Sequence, residues 1–224
     1  NAALRDLDTG HHDYRDCSIH NYIPAAEELV RRGYFAIRMG AIVKEALKIT
    51  NPKIIDYATN GRTDFMDIFL CARCRFFLGA AGGLNAVPRM FRRPVVFTNV
   101  VPLGRDHLLG TCGPNNLFIP KKLWFRESGR FLTFRETLQS GADRFLRTEQ
   151  YEQLGVEVVE NTPEEIAGVV IEMDERLLGT WRTTEEDEEL QRRFWSLFDL
   201  GHLSDDKLLR IGAEFPRQNR DLLD

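Results

Sequence analysis

Between Asn21 and Asn99 the chain alternates short apolar runs with polar breaks, and the spacing inside each run separates helices from strands. In "NYIPAAEELVRRG" the apolar positions Ile23, Ala26, Leu29 and Val30 recur at helical spacing. Asn21 is the expected N-cap there and Gly33 the expected stop. "YFAIRMG" and "KIIDYA" follow as short strands. "TDFMDIFLCARC" reads as a helix capped by Thr63 or Asp64, with Asp67 in its first turn, where a carboxylate suits the helix dipole. "RFFLG" predicts a third strand, "GLNAVPRMF" a short helix bent at Pro88, and "PVVFTN" a fourth strand. These strands are apolar throughout instead of alternating, as strands covered on both faces are. The pattern therefore predicts a parallel sheet with right-handed crossovers.

Beyond Val100 the pattern loosens. "VPLGRDHLLGTCGPNN" reads as a long loop, "LFIPKKLWF" as extended chain and "TFRETLQSG" as helix. "VEVVEN" is expected to be a fifth strand. It leads into a helix opened by Thr162, Pro163 and Glu165, a capping box with proline at the first helical position. "TTEEDEELQRRFWSLF" is a second capped helix, acidic at its start and basic later. Its stripe of Leu190, Phe194, Leu197 and Phe198 packs either on this domain or on a partner. "DDKLLRIGAEFPRQNRDLL" closes the chain as one or two short helices. The fold class is α/β: a Rossmann-like parallel sheet with flanking helices. Three regions are expected: a loop over residues 1–20, the Rossmann-like domain over 21–180 and a helical extension over 181–224.

Composition changes this little. Of 224 residues, 43% are hydrophobic and 29% charged, which suits a globular chain able to bury a sizeable core. The net charge of −4, with no basic tract, gives no reason to expect nucleic acid as a partner. Four cysteines, Cys17, Cys71, Cys74 and Cys112, suit a reducing cytoplasm. Cys71 and Cys74 form a C-x-x-C at the end of an apolar helix with no second pair at zinc spacing, so they read as buried thiols. No spacing such as H-E-x-x-H points to a metal. The chain opens at Asn1, and an upstream part is expected to be missing.

In open parallel sheets, ligands bind beyond the carboxyl ends of the strands. Arg38 and Gly40 follow the first strand, Asp56 the second, and Thr98 and Asn99 the fourth. After the third comes "GAAGGL", Gly79 to Leu84, with Ala80, Ala81, Gly82 and Gly83 between. Five residues of little or no side chain let a ligand approach the backbone, and the amides opening the next helix suit an anion. The spacing is neither that of a P-loop nor G-x-G-x-x-G, and a tight turn without ligand is the plain alternative. Arg38 suits bidentate contact with phosphate, or an ion pair with Asp56 or Asp64. "HHDYRD" gathers His12, Asp13 and Arg15, either a base with its orienter or a solvated loop. The carboxylates of "NTPEEI" and "TTEEDEE" read as helix starts.

"HDYRDCSIHNYIPAAEELVRRGYFAIRMG", "DFMDIFLCARCRFFLGAAGGL" and "FIPKKLWFRESGRFLTFRETLQSGADRFLRTEQYE" together resemble a family of bacterial glycosyltransferases from surface-polysaccharide and O-antigen gene clusters. "NTPEEI", "EMDERLLGTW" and "EEDEELQRRFWSLF" resemble its C-terminal end. The resemblance implies a GT-B-like architecture of two facing Rossmann-like domains, of which this chain would be the C-terminal, donor-binding part. It implies a nucleotide-sugar donor and a glycan or lipid-linked acceptor. It also implies no bound metal or cofactor, and work in the cytoplasm with peripheral association at the inner face of the cell membrane. The missing N-terminal domain would be a partner of the same protein. On the matching positions, Gly79 to Leu84 would lie near the donor phosphates and Arg38 to Gly40 would form a second donor-side loop. Asp56 and Asn99 would stand on the same rim, and His12, Asp13 and Arg15 would face the cleft with the catalytic base among them. The glycine turn also resembles that of non-hydrolysing nucleotide-sugar epimerases. An epimerase on this scaffold, or a non-catalytic module binding nucleotide or protein, are the alternatives.

Overall fold

The structure is a computed structural model that describes residues 10–80, 82–104, 108, 115–199 and 208–224. A 3-10 turn, Ile19–Tyr22, runs directly into helix α1, Ile23–Arg31. Because that turn starts upstream, Asn21 does not cap the helix. Ser18 caps the turn instead, its hydroxyl accepting from His20 N at 3.3 Å. Gly33 ends the helix with φ +97°, which a side chain would resist. Strands β1, Ala36–Ile37, and β2, Ile54–Ile55, then pair in parallel as a small sheet of their own. Helix α2, Asp64–Arg73, is capped by Thr63, whose hydroxyl accepts from Met66 N at 3.2 Å.

The central sheet holds β3, Phe77–Gly79; β4, Val95–Val100; β5, Leu117–Pro120; and β9, Arg210–Ile211. They lie in the order β3-β4-β5-β9, all parallel. All six residues of β4 are buried, the polar Thr98 and Asn99 among them, as in a strand covered on both faces. Helix α3, Ala86–Met90, connects β3 to β4. The final strand is a departure from the sequence reading, which has the closing segment as helix. "LLRIG" is a short buried apolar run, and periodicity alone does not separate such a run from a helical one.

At Lys121 the chain leaves the central sheet and enters a second, antiparallel one, where β6, Lys122–Phe125, lies between β7, Arg130–Phe131, and β8, Val156–Val159. "VEVVEN" is a strand, as expected, and it belongs to this second sheet. Its register, Lys122 opposite Val159 and Phe125 opposite Val156, is antiparallel. Glu157 between two valines is the alternation of a strand with one wet face. Helix α4, Phe134–Gln139, follows β7, and α5, Thr148–Gln153, packs on β8.

Helix α6, Pro163–Leu178, has the expected capping box of Thr162 and Glu165 and packs on α1, β4 and β5. Helix α7, Glu185–Trp195, turns its apolar stripe into the chain's own core. Phe194 meets the rings of Phe118, Phe134 and Phe198 at 5.5, 5.3 and 5.2 Å between centroids. Helix α8, Glu214–Gln218, and a last 3-10 turn, Arg220–Leu223, complete that layer. No described helix is long and apolar enough to cross a membrane.

Candidate functional site

The glycine segment opens at the carboxyl end of β3. Gly79 stands opposite Phe97 in the parallel register, so the turn begins level with Thr98 of β4. Gly79 stands close to its neighbours: a Cβ there would press on the Phe77 ring at 3.0 Å. Asn85, buried, closes the turn by donating from Nδ2 to Ala80 O at 2.7 Å. Gly82 and Gly83 are exposed, and a Cβ on Gly83 would meet nothing within 4 Å. Gly82 precedes the 3-10 turn Gly83–Asn85, contributes no side-chain cap, and accepts from Asn85 N at 3.2 Å. Leu84 is half-buried, and Ala81 lies outside the described residues, as does Cys112.

Beside this turn the ends of β4, β5 and β8 meet in a buried polar cluster. The hydroxyl of Tyr22 lies 2.7 Å from Thr98 Oγ1 and accepts from Asn99 Nδ2 at 3.2 Å. Cys17 Sγ approaches the same hydroxyl at 3.6 Å. Burial pushes both the Cys17 thiol and the Tyr22 phenol up, so each stays protonated at neutral pH. Asn99 and Asn161 exchange bonds: Asn99 N donates to Asn161 Oδ1 at 2.5 Å, and Asn161 N to Asn99 Oδ1 at 2.8 Å. Asn161 Nδ2 then donates to Pro120 O at 2.7 Å. Glu160 Oε2 accepts from Ser18 N at 2.7 Å and from Asn21 Nδ2 at 3.1 Å, which is what Asn21 does in place of capping. Lys121 Nζ donates to the carbonyls of Tyr14 at 3.0 Å and Asp16 at 2.5 Å. Burial lowers the pKa of this ammonium, and the main-chain dipoles compensate part of its lost hydration.

Those two carbonyls hold the segment His12 to Asp16 against the end of β5. Tyr14 anchors it in a second core cluster, 5.2 Å from the ring of Tyr151. The ring of His12 lies 6.2 Å from that of Tyr14. Asp13 is exposed. Arg15 lies over the Tyr14 ring and donates from Nε to its hydroxyl at 2.8 Å.

Arg38 follows β1 directly and pairs with Asp56, which follows β2, at 3.3 Å, both side chains about nine-tenths buried. Its Nη1 also donates to Glu45 O at 2.8 Å. Asp56 further accepts from Leu47 N at 2.8 Å and Thr59 Oγ1 at 2.9 Å, so this carboxylate shapes two loops. Gly40 lets the first of them fold tightly, since a Cβ there would sit 2.9 Å from Val43 Cγ1. Glu45 reaches His20 Nε2 at 3.2 Å, which ties the Arg38 loop to the turn that carries Tyr22.

The structure thus brings Asn99, the glycine turn and the His12 segment to one end of the central sheet and joins Arg38 and Asp56 to it through Glu45. Cys17, Tyr22, Lys121, Glu160 and Asn161 are members that the sequence reading missed. Only Lys121 left a signal, as a lysine inside the apolar run "LFIPKKLWF". The C-x-x-C thiols lie apart: Cys71 is buried, and Cys74 donates to Cys71 O at 3.2 Å with its pKa pushed up to about 11, chiefly by burial. Among the described residues no group of three or more His, Cys, Asp or Glu stands where it could hold a metal. No family model, curated protein or solved structure matches this chain.

Proposed function

We propose that this chain is the donor-binding part of a glycosyltransferase that moves a sugar from a nucleotide-sugar to a cell-surface glycan or lipid-linked acceptor. The resemblance in sequence suggests the chemistry. The observation that carries it furthest is the exposed Gly82–Gly83 turn at the carboxyl end of a parallel strand, open to any ligand that approaches its amides. On this reading the backbone from Gly79 to Leu84 receives the diphosphate, and Arg38, committed to Asp56 and the Glu45 carbonyl, shapes the loops of the small sheet. The acceptor hydroxyl attacks the anomeric carbon and gives its proton to His12 or Asp13. The nucleoside diphosphate leaves, its charge stabilised by fixed donors. Lys121 holds the base-bearing segment in place through the Tyr14 and Asp16 carbonyls.

Calorimetric titration with UDP-, GDP- and TDP-sugars tests the binding step. One donor class should bind saturably. Gly83→Trp, which fills the turn without touching the fold, should weaken that binding at least about tenfold while leaving the melting temperature unchanged. Binding unaffected by Gly83→Trp would remove the turn from the site. The chemical step is read by donor consumption: a transferase consumes donor in proportion to acceptor, whereas conversion of the sugar with no acceptor present would mark an epimerase.

A further inference from the structure

Among the described residues β1 pairs with β2 alone and β3 with β4 alone, so the small sheet and the central sheet do not join. Their strands are nevertheless held at both ends. At the amino end, Tyr34, just before β1, donates from its hydroxyl to Asp174 Oδ1 at 2.6 Å. Arg75, just before β3, donates from Nη2 to Leu177 O at 2.8 Å, one turn further along α6, and its guanidinium also reaches the Tyr34 phenol. At the carboxyl end, Arg38 after β1 is tied through Glu45 to His20, two residues before Tyr22, which bonds to Thr98 of β4. Helix α1 packs on β1 and β2 and also on α6. Strands β1 and β3 therefore run in the same direction under one helical layer, with a slot between them.

Both edges of the slot are open. Ala36 N donates to Lys53 O at 3.0 Å and Arg38 N to Ile55 O at 2.8 Å, so by the alternation of a strand the N–H and C=O of Ile37 point away from β2. Phe77 N donates to Pro94 O at 2.9 Å, so those of Leu78 point away from β4. Neither strand carries the charge, proline or bulge with which proteins guard an exposed edge. Burial points the same way. "YFAI" and "FFLG" are apolar throughout, as in strands covered on both faces, yet Phe35 is 63% and Ile37 36% exposed, and Phe77 and Leu78 are only half-buried. Helix α2, which carries the chain from β2 to β3, leaves Phe65, Ile68 and Phe69 exposed as well.

We propose that this slot is a docking site for one extended apolar strand of a partner polypeptide. The strand runs parallel to β1 and β3, takes main-chain bonds from Ile37 on one side and Leu78 on the other, and joins the two sheets in the order β2-β1-strand-β3-β4-β5-β9. Two facing rows of main-chain donors and acceptors are matched by another main chain, as when a peptide adds to the edge of a sheet. The apolar side chains on both edges set the character of the strand between them. In the completed sheet β1 and β3 stand about 9.5 Å apart, twice the spacing of paired strands. This site does not depend on the sugar chemistry proposed for the glycine turn.

The amides of Ile37 and Leu78 report the two edges separately by hydrogen exchange in the ¹⁵N-labelled full chain. The probe is a capped peptide, Lys-Thr-Val-Ile-Val-Val-Thr-Lys, whose centre favours a strand and whose lysines keep it dissolved. Both amides should exchange freely in the chain alone and slow together, at least about tenfold, as the peptide saturates. The same peptide N-methylated at its four central residues lacks the main-chain donors and should protect neither. Protection of either amide in the free chain at low concentration overturns the proposal, as does a response of one edge without the other. So does the absence of any response at about 1 mM peptide, which fills about nine-tenths of a site whose Kd is about 0.1 mM. Protection that grows with protein concentration and needs no peptide would show a second copy in the slot, and it too overturns the proposal. Every arm uses the unaltered chain, so no variant has to fold.

Discussion

Asn99 sits at the end of β4 with a left-handed backbone, φ 54°, and no other side chain could do all that it does there. Asparagine tolerates this conformation better than most residues. Its Oδ1 satisfies Asn161 N and its Nδ2 reaches Tyr22, all in a buried place. Asn99→Ala leaves a buried N–H unpaired and keeps the left-handed strain. We expect a loss of about 2–4 kcal/mol in urea unfolding. Asn99→Gly relieves the strain alone, so its loss should be smaller by about 1 kcal/mol. If Asn99 served only a donor ligand, Asn99→Ala would cost under about 0.5 kcal/mol in the ligand-free protein, as substitutions away from structural roles do. The sequence placed Asn99 near the end of a strand, where it is found, since strand ends are locally readable. It did not show that the side chain is committed to Asn161, because that partner lies sixty-two positions away. Arg38 repeats the lesson: its place was legible, its pairing with Asp56 was one of two open readings, and the geometry chose it.

Among elements, helix starts were the most legible because caps are local. Thr162 with Glu165, Thr184 with Asp187, and Thr133 with Glu136 are each written within four residues. Asn21 misled because a 3-10 turn, which leaves no periodic trace of its own, preceded α1. Helix α2 shows another limit. It is apolar on more than one face, so periodicity does not tell that Phe65 remains 74% exposed while Cys71 is buried. The start of α4 supports a pH prediction. Glu136 accepts from both Arg130 Nη groups, at 2.8 and 2.6 Å, and from Thr133 N at 2.8 Å. The Arg130 guanidinium first, and then the Thr133 amide, hold this carboxyl down to about 2 from an ordinary 4.5. A lowered pKa in the folded state means stability that is present above 4.5 and lost as pH falls toward 2. Glu136→Gln should therefore lower the melting temperature at pH 7 and converge with the wild type near pH 2. A constant difference across that window would show that the ionised group contributes nothing there.

At the scale of the whole molecule, described residues after Gly179, among them Leu190, Phe194, Leu209 and Ile211, belong to the core. Strand β9 pairs with β5, Phe118 opposite Ile211. Gln191 of α7 spans the same strand, donating to Ile211 O at 2.6 Å and accepting from Ile211 N at 3.2 Å. Gly212 permits the close approach to α6, since a Cβ there would stand 2.7 Å from Val169 Cγ2. The sequence could not show this, because strand partners nearly a hundred positions apart are set by packing and leave no local pattern. The arrangement makes a strong prediction for the chain cut after Gly179. The cut removes Leu190, Phe194, Trp195, Leu209, Ile211 and Phe215, all buried, and each side chain is worth about 1.5–3 kcal/mol. Together these are comparable to the whole of the roughly 5–15 kcal/mol by which a domain is stable at all. The cut also opens the edge of β5 and exposes Phe118 and Ile119 to water. The shortened chain should show no cooperative thermal transition and no near-ultraviolet circular dichroism. A sharp melt retained after the cut would mean that the sheet from β3 to β5 closes its core with α1 and α6 alone, and that the C-terminal layer is an addition to a domain already complete.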